Sequence, residues 1–457
     1  MARDTIDETP IETTEQLADW FAVGCKPKKD FRIGTEHEKF GFHAEDHSPV
    51  GYEGPRGIRR LLEGMEGLLG WERIEDKGKI IGLVDPTHGG AISLEPGGQF
   101  ELSGAPLESI HQTCRETNAH LAQLREIAEP LGIKFLGMGV SPKWTREETP
   151  RMPKSRYDIM TAYMPKVGTL GLDMMYRTST IQVNLDFESE ADMVKKMRVG
   201  LALQPIATAI FAASPFLEGK PNGFLSYRAE IWRNLDPDRT GLLPFAFEDS
   251  FGFEAYADWA LDVPMYFIKR GDTYHDVTGY TFRDFMSGKL DSRLPGERPT
   301  VGDWNNHIST LFPDARLKRY IEMRGADGGP WRRICALPAF WTGLLYDQQS
   351  LDGAADLIAD WTEAERQALR DEVPRLALNA PFRGHTVREL ARDVVALSRA
   401  GLSRRAHLNS AGFDETGFLA PVEESLAVGE TQAESMLRHF HTDWAGDIDR
   451  VFEAYAY

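Results

Sequence analysis

Arg32-Ile33-Gly34-Thr35-Glu36-His37-Glu38-Lys39-Phe40-Gly41-Phe42, near the start of the folded part of the chain, decides how the rest is read. As a β-strand its side chains alternate between two faces, so Glu36 and Glu38 stand together between Gly34 and Phe40 on one of them. Carboxylates so placed repel each other. Beside aromatic neighbours they also lose hydration, which is costly for an ion without a partner. A divalent cation between them is the simplest remedy. A solvated edge strand with both glutamates in water is the alternative, and other segments have to decide between the two.

Composition bounds the answer. A chain of 457 residues is long enough for two or three domains, or for one enzyme built on an extended sheet. With 42% hydrophobic residues, 24 Phe and 10 Trp it has the makings of a packed globular core. A formal charge of −18 argues against nucleic acid or an anionic membrane as partner, so anionic substrates need local Arg and Lys clusters. Cys25, Cys114 and Cys335 are far apart, which indicates neither a zinc site nor a secreted disulfide framework. The acidic N-terminus resembles neither a signal peptide nor an Arg-rich transit peptide, and a cytoplasmic location is expected. Val199 to Leu217 has few polar side chains, but Pro205, Pro215 and the Ser189-Glu190-Ala191-Asp192 cap favour a buried central helix over a membrane span.

Three regions follow from the patterning: a helical lead over residues 1–30, a sheet-and-helix catalytic body over 31–349, and a helical region over 350–457 packed on that body. Helices are expected over Thr14 to Val23, Gly54 to Leu69 and Ala105 to Leu131. Strands are expected at Lys79 to Leu83 and on both sides of the Pro96-Gly97-Gly98 turn, which sets Glu95 and Glu101 at its two ends. Ile181 to Phe187 is the clearest strand, with Ile181, Val183, Leu185 and Phe187 on one face and Gln182, Asn184 and Asp186 on the other. Tyr320 to Arg324 repeats the pattern with Glu322 and Arg324 on its polar face. In the last region Thr362-Glu365, Thr386-Glu389 and Thr431-Glu434 fit capping boxes, and Gly401 reads as a helix stop. These segments predict an α+β fold: a largely antiparallel, curved sheet with one polar face lining a cleft and helices on the other.

No P-loop, GxGxxG, HExxH or GxSxG motif is present. What remains is rich in oxygen: Glu36, Glu38, Glu95, Glu101 and Glu322 with Gln182 and Asn184, a donor set suited to Mg²⁺ or Mn²⁺ rather than zinc. Such a cation can bridge nucleotide phosphates, with arginines completing the clamp. Arg156, Arg228, Arg233, Arg239, Arg324, Arg332 and Arg333 are the cations near these strands.

Ile33 to Phe42, Ser93 to Glu101, Gly168 to Met175, Leu201-Ala202-Leu203-Gln204-Pro205-Ile206, and Arg319 to Cys335 together resemble plant-type glutamate-cysteine ligase, a carboxylate-amine ligase family with a glutamine synthetase-like sheet. The resemblance runs almost to Tyr457. It implies phosphorylation of the γ-carboxylate of glutamate by ATP, attack by the amine of cysteine, and release of ADP and phosphate as glutathione synthesis begins. It further implies Glu36, Glu38, Glu95, Glu101, Gln182 and Glu322 around Mg²⁺ or Mn²⁺, with Glu322 and Arg324 as catalytic groups and Arg324 and Arg332 facing the nucleotide. Arg156, Arg228, Trp232 and Tyr266 would contact the amino acids, and the protein would work as a monomer or weak homodimer. Chloroplast members are redox regulated; Cys114 and Cys335 match one of their disulfide pairs, while Val277 and Ser292 stand where the other is expected. A metal-dependent hydrolase and a binding protein that kept the fold are the competing readings. The missing His-rich ligand set weighs against the first, and retention of all five glutamates against the second.

Overall fold

The computed structural model describes residues 6–457, so residues 1–5 of the expected lead lie outside the described residues. Nine strands form one sheet: β1 (Ile33–His43), β2 (Glu72–Asp76), β3 (Lys79–Val84), β4 (Ala91–Leu94), β5 (Phe100–Ser103), β6 (Ile133–Leu136), β7 (Thr180–Leu185), β8 (Ala315–Leu317) and β9 (Ile321–Asp327). Their order is β8-β9-β7-β1-β5-β4-β3-β2, with β6 paired to the second half of β1, and all neighbours are antiparallel. The expected α+β architecture is therefore present.

The alternative of an edge strand is corrected. β1 is not an edge strand but the middle of the sheet, hydrogen-bonded to β7 on one side and β5 on the other. A run of Glu, His, Glu and Lys reads as the charged disguise of a sheet edge. Here the charges face a cleft on one side and a tightly filled layer on the other.

That layer explains the alternation in β1. Ile33, Thr35, His37 and Lys39 are buried, while Gly34, Glu36 and Glu38 are half-buried. The underside of the sheet packs on the helices Ile110–Ala128, Glu190–Ile210 and Trp331–Leu345 through Ile181, Val183, Leu185, Ile321 and Met323. Thr35, His37 and Lys39 are polar groups on that side: the Lys39 ammonium donates to the Phe100 carbonyl at 3.2 Å, and burial pulls its pKa down to about 7. Of the expected apolar segment Val199 to Leu217, the part up to Ile210 belongs to the buried helix Glu190–Ile210, capped by Ser189, while Phe216 and Leu217 lie in a short strand; no described helix is long and apolar enough to cross a membrane.

The helices after residue 350 share the largest apolar core with the sheet, through residues such as Leu351, Leu369, Val394 and Val422. All three capping boxes form. Gly401, however, stops nothing: the helix Val387–Arg405 runs through it. Its lack of a side chain serves contact instead. A Cβ at Gly401 would lie 1.9 Å from the Gly343 carbonyl oxygen of the facing helix, so the two backbones touch there. Between helix Ile110–Ala128 and helix Trp331–Leu345, the Cys114 and Cys335 sulfurs lie 2.7 Å apart as free thiols.

Gly401→Ala is expected to lower stability by about 1–3 kcal/mol through overpacking. Gly67, in a helix with open space around it, supplies the control: Gly67→Ala should raise stability by about 0.5–1 kcal/mol. Thermal unfolding of the two variants checks the opposite signs.

Candidate active site

The antiparallel register builds the polar face in rows, because residues directly opposite each other project to the same side. One row runs Arg316-Glu322-Asn184-Gly34, the next Gln182-Glu36-Ser103-Ala91, and a third Glu38-Glu101-Ser93-Gly82. Between Met323 and Ala326 the β9–β7 register slips, so Arg324 and Gly325 form a bulge beside Gln182. These rows floor a cleft of about 120 Å³ lined by Glu36, Glu38, Glu95, Glu101, Gln182, Arg156, Arg228, Trp232, Arg316 and Arg324. The sheet thus brings together most of the residues expected from sequence.

The carboxylates differ in how they are satisfied. Glu101 accepts from Ser93 Oγ and Ser103 Oγ, each at 2.7 Å. Tyr157, whose hydroxyl lies 3.5 Å from Glu95, roofs that side. Glu36 accepts from Asn184 Nδ2 at 2.9 Å and Glu38 from the Thr180 amide at 3.1 Å. Neither donor carries charge. Burial, with the charges of Glu322 and Glu101 added, raises the Glu36 pKa; burial with Glu95 and Glu101 pushes Glu38 well above the usual carboxylate range. These are hard oxygen donors short of a cation, which fits Mg²⁺ or Mn²⁺. Among the described residues, no three such side chains are already drawn together to ligating distance.

Glu322 is placed differently from the expected metal ligand. It is 1% exposed, and Arg316 Nε at 2.5 Å, Lys318 Nζ at 2.7 Å and Arg324 Nη1 at 3.3 Å surround it. Burial opposes its ionisation, yet Arg316, Lys318 and Arg324 hold it well below the usual carboxylate range. Its charge is already matched. Arg324 also donates to Gln182 Oε1 at 2.6 Å, and burial with the neighbouring Arg316 lowers its pKa to about 10.

Arg228 is 3% exposed and donates to the Arg324 carbonyl at 3.0 Å; its guanidinium lies 5.3 Å from the Trp232 ring. Arg156 lines the cleft beside Tyr157. Two expected residues are not brought in. Tyr266 is buried under the wall, with the Arg239 guanidinium 4.0 Å from its ring, and its neighbour Phe267 faces the cleft instead. Arg332 pairs with Glu424 on the surface at 2.8 Å. Sequence reasoning missed Arg316 and Lys318, although they alternate at strand period opposite Glu322 and that spacing was visible.

The family model of glutamate-cysteine ligase family 2 matches residues 32–454. The chloroplastic glutamate–cysteine ligase of Arabidopsis thaliana is 58% identical over 445 residues, covering 97% of this chain and 83% of the relative. Chloroplastic glutamate–cysteine ligase B of Oryza sativa subsp. japonica is 55% identical over 454 residues, covering 99% and 89%. Among solved structures, the glutamate–cysteine ligase of Francisella tularensis in complex with AMP aligns with a TM-score of 0.53 at 12% identity, over 93% of this chain and 89% of that one. At that identity the likeness is one of fold. The relatives' chloroplastic names overturn the expected cytoplasmic location. Cysteine usage and terminal composition report on redox state and solubility, which aqueous compartments share, so they could not separate cytoplasm from plastid.

The raised Glu38 carboxyl has a measurable consequence. A group whose folded pKa exceeds its unfolded value near 4.3 withdraws stability as pH rises from there through the folded pKa. In chelator, Glu38→Gln should therefore unfold at a higher temperature than the parent at pH 8, and the gap should narrow toward pH 5. A gap independent of pH would show that Glu38 is not raised.

Proposed function

Because the chain belongs to glutamate-cysteine ligase family 2, we propose that it joins the amine of L-cysteine to the γ-carboxylate of L-glutamate in an ATP-driven reaction, making γ-glutamylcysteine, the first step of glutathione biosynthesis. A γ-carboxylate oxygen attacks the terminal phosphorus of ATP, and the bond to ADP breaks. The amine nitrogen then attacks the acyl carbon of the γ-glutamyl phosphate; the bond to phosphate breaks and the nitrogen gives up its proton. No side chain needs to form a covalent bond, so the protein's part is to bind, orient and offset charge.

One observation carries the site assignment: a single sheet face holds the half-buried carboxyls of Glu36 and Glu38, met by neutral donors, at one end and guanidiniums at the other. Arg156, Arg228 and Trp232 are assigned to the amino acids, and Arg324 with Arg316 to phosphate oxygens. Glu36, Glu38, Glu95 and Glu101 would hold Mg²⁺ or Mn²⁺, with Gln182 beside them. The ion held there would supply positive charge that offsets the charge of the phosphates. Glu322 is better supported as the anchor that orients Arg316, Lys318 and Arg324 than as a metal ligand. Tyr266 backs the wall that carries Phe267, and Arg332 has no part in the cleft.

ADP release should require glutamate and cysteine together, with 2-aminobutyrate able to replace cysteine. Turnover of ATP indifferent to the amine would sink the ligase reading. Glu36→Gln should lose about a hundredfold or more in kcat while staying folded. Mg²⁺ should raise the unfolding temperature of the parent and do so less in this variant; an equal rise in both removes Glu36 from the metal set.

A further inference from the structure

Gln204 sits in the Leu201-Ala202-Leu203-Gln204-Pro205-Ile206 stretch, and none of the roles assigned above uses it. Its chain neighbours are buried and apolar, and Gln204 itself is 2% exposed, yet neither end of its amide has a hydrogen-bond partner. Burying an amide this way opposes folding, and a leucine would suit the helix better. The surrounding backbone nevertheless makes room for it. Gly325, in the β9 bulge, is the residue against which the amide rests: a Cβ there would come within 2.2 Å of Gln204 Nε2. Thr208 fastens helix to bulge by donating to the Gly325 carbonyl at 2.9 Å.

Gln204 lines a recess of about 40 Å³ that shares Arg228, Trp232, Phe312 and Arg324 with the carboxylate cleft. Arg228 Nε, Arg324 Nε and Trp232 Nε1 are also buried without partners. The carboxylate lining the recess, Asp314, is taken by Arg370 at 2.8 Å. Donors are therefore in excess, two of them on buried guanidiniums. Such groups are stable when an anion accepts from them. The volume suits the few oxygens of a carboxylate and not a nucleotide.

Resting on the ligase reading above, we propose that this recess takes the α-carboxylate of one amino-acid substrate, and that Gln204 is a recognition residue whose amide donates to it beside Arg228 and Arg324. Glutamate and the amine acceptor both carry that group, and the test separates them.

Gln204→Leu keeps the volume and removes the polar ends; Gln204→Glu adds a repelling charge. Initial rates of ADP release give KM for glutamate, cysteine and ATP. In Gln204→Leu the KM of one amino acid should rise about tenfold or more, further in Gln204→Glu, with KM for ATP within about twofold. The analogue lacking the α-carboxylate identifies the ligand: 4-aminobutyrate for glutamate, cysteamine for cysteine. Its KM should be the same in parent and Gln204→Leu. A rise shared by all three substrates, or equally by the analogue, makes Gln204 a packing residue and overturns the proposal. Should Gln204→Leu not fold, Gln204→Met serves, its unbranched side chain tolerating the same space. Calorimetric binding of each amino acid without ATP keeps the recess testable if the ligase reading fails: weaker binding to the variant supports it, and equal binding overturns it.

Discussion

Glu38 stands directly opposite Glu101 in the β1–β5 register, with Glu36 two residues away on the same face. Like charges so paired destabilise a sheet, and burial makes the repulsion stronger. The rest of the polar face can be understood as the answer to that constraint. Serines 93 and 103 take up both oxygens of Glu101, which lets one member of the pair stay charged. Glu36 and Glu38 receive only neutral donors, so without a cation they drift toward the protonated form. The sheet tolerates this because its other face is packed by helices against a large apolar core that includes Ile181, Val183, Leu185, Ile321 and Met323.

Charge is then divided across the face. β8, β9 and the turn between them carry Arg316, Arg324 and Lys318, whose positive charge exceeds the single carboxylate of Glu322 that they surround. β1 and β5 carry Glu36, Glu38 and Glu101. Left in contact, the two sets would neutralise each other and leave nothing for a substrate. β7 lies between them and presents amides, Gln182 and Asn184. Gln182 accepts from Arg324 while standing opposite Glu36, and Asn184 donates to Glu36 while standing opposite Glu322. A neutral strand keeps the anionic and cationic halves apart.

Much of this was legible in the sequence because it depends on period. Alternation alone put Glu36 with Glu38, and Gln182 with Asn184, on single faces, and it gave the sheet its polar side. Alternation cannot say which strands are neighbours. The central position of β1 was therefore missed, since a charged strand looks like an edge. So was the capture of Glu322, whose partners Arg316 and Lys318 lie on and just after a strand of only three residues, too short for its alternation to stand out. Gly401 was misread for a related reason: a glycine in a helix marks a stop or a close contact, and only the facing Gly343 decides. Tyr266 and Arg332 came from resemblance, which transfers residue types more securely than the direction in which a side chain points.

The bulge at Arg324 and Gly325 links these features. A regular β9 would leave Arg324 on the same face as Glu322, two residues along, and would set a single residue opposite Gln182. The slipped register places two residues there. One is an arginine that reaches Gln182; the other is a glycine that lets Gln204 approach from the helix beneath. The extra residue therefore does two jobs that a regular strand cannot combine. It keeps a guanidinium at the boundary between the two charge sets, and it opens the sheet so that a polar group from the apolar layer stands next to it. That is a reason for a buried glutamine to persist in a helix otherwise made for the core.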